Sequence, residues 1–468
     1  MVHFRIGVYM LNIQDTQTKP QSAFQRFKAH IRKSLIYKVI FHPIRSIKNR
    51  ETLLMTDDEK FLYLRHKDIF GYKPDFKNPQ TFNEKVIHRI LYDRNPIYTY
   101  LADKLKARIY IANKLQGFTQ DNIGIREREN SVTLNLAEYK DNLRDSKQNN
   151  NLNTSNQLLD SNISHFTQNR DLKQSNHNNA NSNIVDDKSG LRSHEQGNKT
   201  ESLFTKQVAS LHDLSPQDEF ATTLKILQQP IDSLSSQLFD TNTCEFLPKL
   251  YGIWKSVDDI DFDKLPNSFV LKTNHDCGGV VLVPNKQDFL ANKQLFSDSM
   301  QKLRKHLARN YYEFVKEYHY KDIEPRVFAE ELLLQDNADP TTYKFHIFKG
   351  NEAHNFIQVT TERFSDNYQR AIMDYEWNLT PFGLAYDNSK VKKIPSIPTT
   401  LQSMINIAHI LANPFNYVRV DLYNIDCGNG AFAPFVGELT WTPMGGTDRF
   451  VPIEYDKIIG NLWHIKDS

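Results

Sequence analysis

Cysteine is scarce in this chain, with three in 468 residues. Cys244, Cys277 and Cys427 lie far apart and show no metal-ligand spacing, which argues against a disulfide framework and points to a reducing compartment. Charge of one sign is lacking as well. The 58 Lys and Arg against 56 Asp and Glu leave a formal net charge of +2, so no nucleic-acid partner is expected. No apolar run is long enough to span a bilayer, and the start MVHFRIGVYMLNIQDTQTKP lacks the architecture of a cleavable signal. A cytoplasmic protein is expected.

A chain of this length predicts more than one domain. Residues 1–55 read as a basic extension. Arg26, Lys28, Arg32, Lys33, Lys38, Arg45, Lys48 and Arg50 alternate there with Phe27, Ile31, Leu35, Ile36, Val39, Ile40 and Phe41. Residues 1–50 would form either a helix packing its apolar stripe on the core, the reading favoured here, or a peripheral contact with the inner face of the membrane. Residues 56–118 read as helical: a Thr56-Asp-Asp-Glu cap with Phe61, Leu64 and Ile69 inward, a helix capped by Thr81 or Asn83, and another from about Asp103. From 119 to 243 Asn, Gln, Ser and Asp dominate. This stretch is expected to be largely disordered, above all Asp145 to Glu201, with weak helical patterns at Leu134, Leu136 and Tyr139 and at Leu224 to Leu238. Residues 244–468 regain an ordinary apolar pattern.

The chemistry concentrates in YVRVDLYNIDCGNGAFAPFVGELTWTPMGG, residues 417–446. At a period of two, Arg419, Asp421 and Tyr423 share one strand face and Val418, Val420 and Leu422 the other. The segment Asn424 to Pro434 is expected to turn the chain into a second strand, with Val436, Glu438 and Thr440 on one face. Asp421 and Glu438 would then project together beside Arg419. Two acids on an apolar hairpin need charge compensation. A Mg²⁺ ion completed by phosphate oxygens would supply it, and so would an internal salt bridge to Arg419.

Upstream, Lys272 lies on a strand that shares a face with Val270 and is followed by Gly278-Gly279. Glycines let backbone approach a phosphate, and a lysine supplies a point charge. A solvated lysine beside a glycine hairpin fits the same pattern. His275, in the same segment, reads as a positioning group. A helix is expected from Asp288 to Arg309 and on toward Tyr318, with strands after it. Lys344 and His346 share a face opposite Tyr343, Phe345 and Ile347. Arg363 and Arg370 are candidates for an anionic group, with Arg363 preferred. SMINIAHILAN reads as a helix with Met404, Ile407 and Leu411 inward.

RVDLY, a loop and GELTWTPMGG resemble the metal-binding end of the ATP-grasp ligases, and the closest resemblance is to the TupA-like family of bacterial surface-polysaccharide enzymes. TFNEK, DKLKARIYI, FLPKLYGIW, VFAEELL and YKF extend it over residues 56–118 and 244–465. It implies an α+β ATP-grasp fold with an N-terminal helical region, interrupted by the insertion. It implies ATP and Mg²⁺ as cofactors: Lys272, Gly278, Gly279 and Lys344 on the phosphates, Glu330 and Glu331 at the nucleotide hinge, Asp421, Glu438 and Thr440 on the metal, and Arg419 with Arg363 at the transferred phosphoryl group. Thr440 departs from the family pattern, standing where many ATP-grasp enzymes have a metal-binding Asn. The implied reaction is carboxylate–amine ligation through an acyl phosphate. Its substrate would be a small molecule or glycan bearing a carboxylate or amine, as in teichuronopeptide, capsule or other cell-envelope polysaccharide synthesis. The alternatives are a metal-dependent glycosyltransferase, whose D-x-D signature would be Asp259 to Asp261 or Asp261 to Asp263, and an inactive nucleotide-binding scaffold.

Overall fold

The computed structural model describes residues 52, 54–123, 216–334, 340–361, 368–428 and 430–465. The helix or membrane contact expected of residues 1–50, most of the insertion with its Leu134 to Tyr139 pattern, and Arg363 lie outside the described residues. Two compact units divide the chain, Met1–Leu64 and Arg65–Ser468.

Helix α1 (Asp57–Phe70) begins in the first unit and ends in the second. Thr56 caps it by accepting the Glu59 amide at 3.2 Å, as its Thr-Asp-Asp-Glu start predicts. Phe61 and Leu64, expected inward, are exposed. The buried stripe runs through Leu62 and His66 instead, four residues apart and so on one helix face.

Three helices follow: α2 (Phe82–Tyr92), α3 (Pro96–Ala102) and α4 (Lys104–Lys114). Thr81 and Glu84 cap α2 reciprocally in a capping box, so Thr81 and not Asn83 is the cap. The Asn-Glu-Lys triplet of α2 ties the amino-terminal helices to the carboxyl end. Asn83 donates to the Asp448 carbonyl at 2.7 Å, and Lys85 donates to the carbonyls of Gly460 and Trp463 at 2.9 and 2.7 Å.

After the gap come α5 (Pro216–Leu227) and α6 (Ser235–Asp240), whose Ile226, Leu227 and Leu238 enter the main core. Then follow β1 (Leu250–Trp254), β2 (Phe269–Thr273), β3 (Val280–Val283), α7 (Lys286–Ala291), α8 (Lys293–Leu307), α9 (Tyr311–Val315) and β4 (Val327–Glu330). The single long helix expected from Asp288 is thus three pieces. Asn285, Asn292 and Asn310 each cap the next start with a side-chain oxygen, because Asn offers the backbone an alternative to continuing the helix.

Strands β1–β4 form an antiparallel sheet in the order β1-β4-β2-β3. Phe269, Leu271 and Ala329 turn one face toward Met300 and Leu303 of α8. Val270 and Lys272 take the other face with Glu330 and Phe328, their cross-strand partners, since directly paired residues project to the same side.

The second sheet uses β5 (Thr342–Phe348), β6 (Phe356–Thr361), β7 (Gln369–Met373), β9 (Tyr417–Gly428) and β10 (Ala431–Thr440) in the order β10-β9-β5-β6-β7, all antiparallel. Between β7 and β9 lie β8 (Gly383–Leu384) and α10 (Leu401–Ala412), and β8 pairs with β11 (Phe450–Val451) before α11 (Tyr455–Leu462). The face carrying Tyr343, Phe345, Ile347, Val418, Val420 and Leu422 packs with Met404, Ile407 and Leu411 of α10 in the main core, as the alternation predicts.

The segment Asn424 to Pro434 reverses the chain into a second strand as expected, with the turn confined to its centre, because strand pairing continues to Gly428 and resumes at Ala431. One expectation for the hairpin fails, in that β10 does not alternate uniformly. The register slips between Val436 and Glu438, so that Val436 opposes Leu422 in the core while Glu438 opposes Asp421. Gly437 is the extra residue of this bulge. A Cβ there would sit 2.7 Å from the Tyr423 ring, so a larger residue would have to displace that ring.

Candidate functional site

The register of three strands builds the first cluster. On β9, Asp421 opposes Lys344 of β5 on one side and Glu438 of β10 on the other, while Arg419 opposes His346 and Thr440. Arg419 grips Asp421 through both ends of its guanidinium, Nε to Oδ1 at 2.6 Å and Nη2 to Oδ2 at 2.8 Å. The same Nη2 reaches Glu438 Oε1 at 3.1 Å and Thr440 Oγ1 at 3.0 Å. Thr440 in turn donates to Glu438 at 3.2 Å, and Lys344 Nζ donates to Asp421 Oδ2.

Solvent reaches these groups unequally. The side chains of Asp421, Arg419 and Lys344 are 3, 10 and 15 % exposed, and that of Glu438 is 46 % exposed. Burial alone would raise the Asp421 carboxyl, but Arg419 and Lys344 outweigh it and hold it below its ordinary value. Burial and the neighbouring Arg419 lower Lys344 despite Asp421. Burial, Arg419 and Lys344 push His346 far below its usual value, so its imidazole is neutral. It stacks on Phe356 and bonds the Tyr417 hydroxyl at 2.9 Å.

The salt bridge and the shared acidic surface therefore coexist. Among the described residues no three His, Cys, Asp or Glu side chains gather as a metal site. Two carboxylates and a hydroxyl nevertheless suit Mg²⁺, which keeps most of its shell for water and phosphate. Glu438 is the carboxylate open to solvent, whereas both oxygens of Asp421 are engaged.

The second cluster lies on the first sheet. Lys272 Nζ donates to Glu330 Oε1 at 2.5 Å, and Arg108 of α4 donates to Glu330 Oε2 at 3.0 Å. Burial disfavours the Lys272 ammonium, but Glu330 and Tyr423 outweigh it and raise its value. Tyr423, which contributes to this shift, belongs to β9 of the second sheet. Glu331 points elsewhere: its carboxylate accepts the Lys249 amide at 3.2 Å, and its own amide donates to the Lys249 carbonyl at 2.8 Å.

The turn between β2 and β3 is held from behind. Gly278 has φ of +90°, and a Cβ on Gly279 would sit 1.9 Å from Thr273 Oγ1. Buried Asn274 donates to Asp103 at 2.9 Å and accepts the Arg326 amide at 2.7 Å. Lys104 donates to the carbonyls of Thr273 at 3.1 Å and Asp276 at 2.5 Å. Asp276 accepts from His306 at 2.5 Å and from Arg309 Nε at 2.9 Å. Burial would raise Asp276, but His306 and Thr273, with Lys104 and Arg309, bring it below its ordinary value. His275 is buried, bonds the Arg309 carbonyl at 3.1 Å and is lowered by burial.

A third group supports the loop after β10. Glu317 accepts from Thr442 Oγ1, and Arg65 donates to the Gly445 carbonyl. Burial raises Glu317 to about 7. Gly446 packs so tightly on α2 that a Cβ would lie 2.8 Å from the Asn83 carbonyl.

Not every candidate joins these clusters. Arg370 instead donates to the Leu384 carbonyl at 3.1 Å, linking β7 to β8. Asp259, Asp261 and Asp263 sit in two short 3₁₀ turns, where Asp261 caps Asp263 and pairs with Lys264 at 2.9 Å. Arg108 and Glu317 escaped the sequence reading, and Tyr423, placed there on the face of Arg419 and Asp421, was given no role. The one signal was weak: Arg108 falls one helical turn after Lys104.

The TupA-like ATPgrasp family model matches residues 240–464. A search of curated proteins returned no match. Similar solved structures include the ATP-grasp ligase PsnB complexed with minimal precursor (12 % identity, TM-score 0.25, covering 46 % of this chain and 54 % of that one). Others are an L-amino acid ligase from Bacillus licheniformis (13 %, 0.27, 54 % and 50 %) and PsnB with a phosphomimetic variant of its precursor, Mg and ADP (11 %, 0.24, 52 % and 70 %). The match spans about half the length of the first two, and likenesses this distant bear on neither substrate nor mechanism. Residues 240–464 of this chain are thus similar to the TupA-like ATP-grasp family, whose model they match.

Proposed function

We propose that the protein is an ATP-dependent carboxylate–amine ligase that forms an amide through an acyl phosphate. Its substrate carries a carboxylate or amine and belongs to a surface polysaccharide or its precursor. The observation that carries this reading is the convergence of Lys344, Arg419, Asp421, Glu438 and Thr440 on one sheet face, within the region that matches the ATP-grasp family.

Phosphoryl transfer asks mainly for positioning and charge neutralisation, which such a set supplies without a nucleophilic side chain. Lys272 and Lys344 hold phosphate oxygens, and the Gly278-Gly279 turn lets backbone approach them. Arg419, anchored by Asp421, offers charge to the transferred group. The substrate carboxylate attacks the γ-phosphorus and ADP leaves. The amine then attacks the acyl carbon, phosphate leaves, and the amine proton passes to solvent. Asp421 and Glu438, with Thr440, would hold Mg²⁺, which when bound neutralises the phosphate oxygens.

Calorimetry with ATP, with and without Mg²⁺, on wild type and Glu438→Gln tests the reading, followed by ADP release with amino acids and uronic acids as co-substrates. Mg²⁺-dependent binding that needs Glu438, and ADP release, are expected. Binding of a nucleotide sugar in place of ATP would replace the ligase with a glycosyltransferase. ATP binding with no co-substrate ever releasing ADP would leave a scaffold.

A further inference from the structure

Arg108 lies on α4, outside the residues that match the family, yet it contacts the carboxylate that holds Lys272. Glu330 is a buried acid with two cationic partners: Lys272 on Oε1 at 2.5 Å and Arg108 on Oε2 at 3.0 Å. The two partners differ in freedom. Arg108 is 4 % exposed, and its remaining donors are fixed on the Pro248 carbonyl at 2.5 Å and Thr241 Oγ1 at 3.3 Å. Lys272 is 27 % exposed at the side chain and has a flexible stem. A buried carboxylate stripped of its only counter-ion is strongly disfavoured. Were Lys272 the sole partner, its departure toward a phosphate would carry that penalty.

We infer that Arg108 is a positioning residue for nucleotide binding: it remains on Glu330 as resident counter-ion, so that Lys272 is free to leave Glu330 and take up a phosphate of the incoming nucleotide. This rests on the ATP-binding reading above and adds a division of labour to it. Glu330 thereby becomes the resting place of Lys272 rather than a ribose ligand, and the amino-terminal helices become part of the nucleotide site.

The test combines two readouts on the full chain, Kd for Mg²⁺-ATP by calorimetry and the rate at which an amine-reactive reagent labels Lys272 without nucleotide, read by mass spectrometry. In Arg108→Gln, Kd is expected to rise about tenfold or more and Lys272 labelling to slow, because Glu330 then holds the lysine alone. Glu330→Gln should speed labelling. Combining it with Arg108→Gln should restore Kd to that of Glu330→Gln alone, and Arg108→Lys should fall between. A double variant as weak as Arg108→Gln would reduce Arg108 to packing and overturn the inference, as would unchanged Kd and labelling in Arg108→Gln. If wild type fails to bind ATP, the ligase reading falls, while the labelling series still reports whether Arg108 governs the release of Lys272. Should Arg108→Gln fail to fold, Arg108→Lys and Glu330→Gln give the same ordering.

Discussion

Replacing Asp421 by Asn strips the common anion from two buried cations. Arg419 would lose a two-point contact and Lys344 its carboxylate partner. The three side chains are 3, 10 and 15 % exposed, so water would screen little of the change. Breaking such a buried pair costs about 3–5 kcal/mol. In a protein of this size that amounts to a fall in Tm of roughly 3–5 °C. Lys344→Met should cost clearly less, because Asp421 keeps both bonds to Arg419. The pH dependence has a definite sign. The folded carboxyl is held below its ordinary value, so its contribution is complete above about pH 4 and drains away as pH falls through the folded value. Thermal melts of wild type, Asp421→Asn and Lys344→Met from pH 3 to pH 8 check this. The gap between wild type and Asp421→Asn should be widest at neutral pH and close in acid. A Tm for Asp421→Asn within a degree of wild type at pH 7, or a Lys344→Met protein that melts below it, would refute the reasoning.

Glu438→Gln alters a half-exposed side chain and should change stability by less than about 1 kcal/mol, while Mg²⁺-dependent ADP release disappears; melts and a coupled ADP assay separate the two. Gly437→Ala forces a Cβ against the Tyr423 ring and should cost about 1–3 kcal/mol by chemical denaturation, with loss of the bulge. Asn83→Ala removes the buried bond to the Asp448 carbonyl and should cost about 1–3 kcal/mol. Burial raises Glu317 to about 7, so the stability its protonated form contributes is present below about pH 4.5 and is lost as pH rises through 7. The Tm of Glu317→Gln should fall less than that of wild type between pH 5 and pH 8, and parallel curves would remove that assignment.

Local rules carried much of the molecule. Period-two alternation placed Lys344 with His346, put Val418, Val420 and Leu422 in the core, and paired Val270 with Lys272. The Thr56 cap and the α10 stripe of Met404, Ile407 and Leu411 followed from side-chain chemistry next to them in sequence. Such features are legible because each depends on neighbours within a few residues, where spacing along the chain is spacing in space. Alternation failed at Gly437, where an extra residue shifts the register and the reason is the Tyr423 ring across the hairpin. It failed again at α1, where Leu62 and His66 are buried and Phe61 and Leu64 are not. Glu330 and Glu331 read alike in sequence, yet one sits between Lys272 and Arg108 and the other binds the Lys249 backbone.

By itself, then, the sequence determined the alternation of β2, β5 and β9, and with it that Val270 shares a face with Lys272, Lys344 with His346, and Asp421 with Arg419. Only the tertiary structure decided that Arg108, more than 200 residues from Glu330 along the chain, shares its carboxylate with Lys272, and that Asn83 and Lys85 fasten the first helices to the last. Charge compensation of a buried acid depends on what stands within about 4 Å of it, and no periodicity encodes a contact between elements so far apart in the chain.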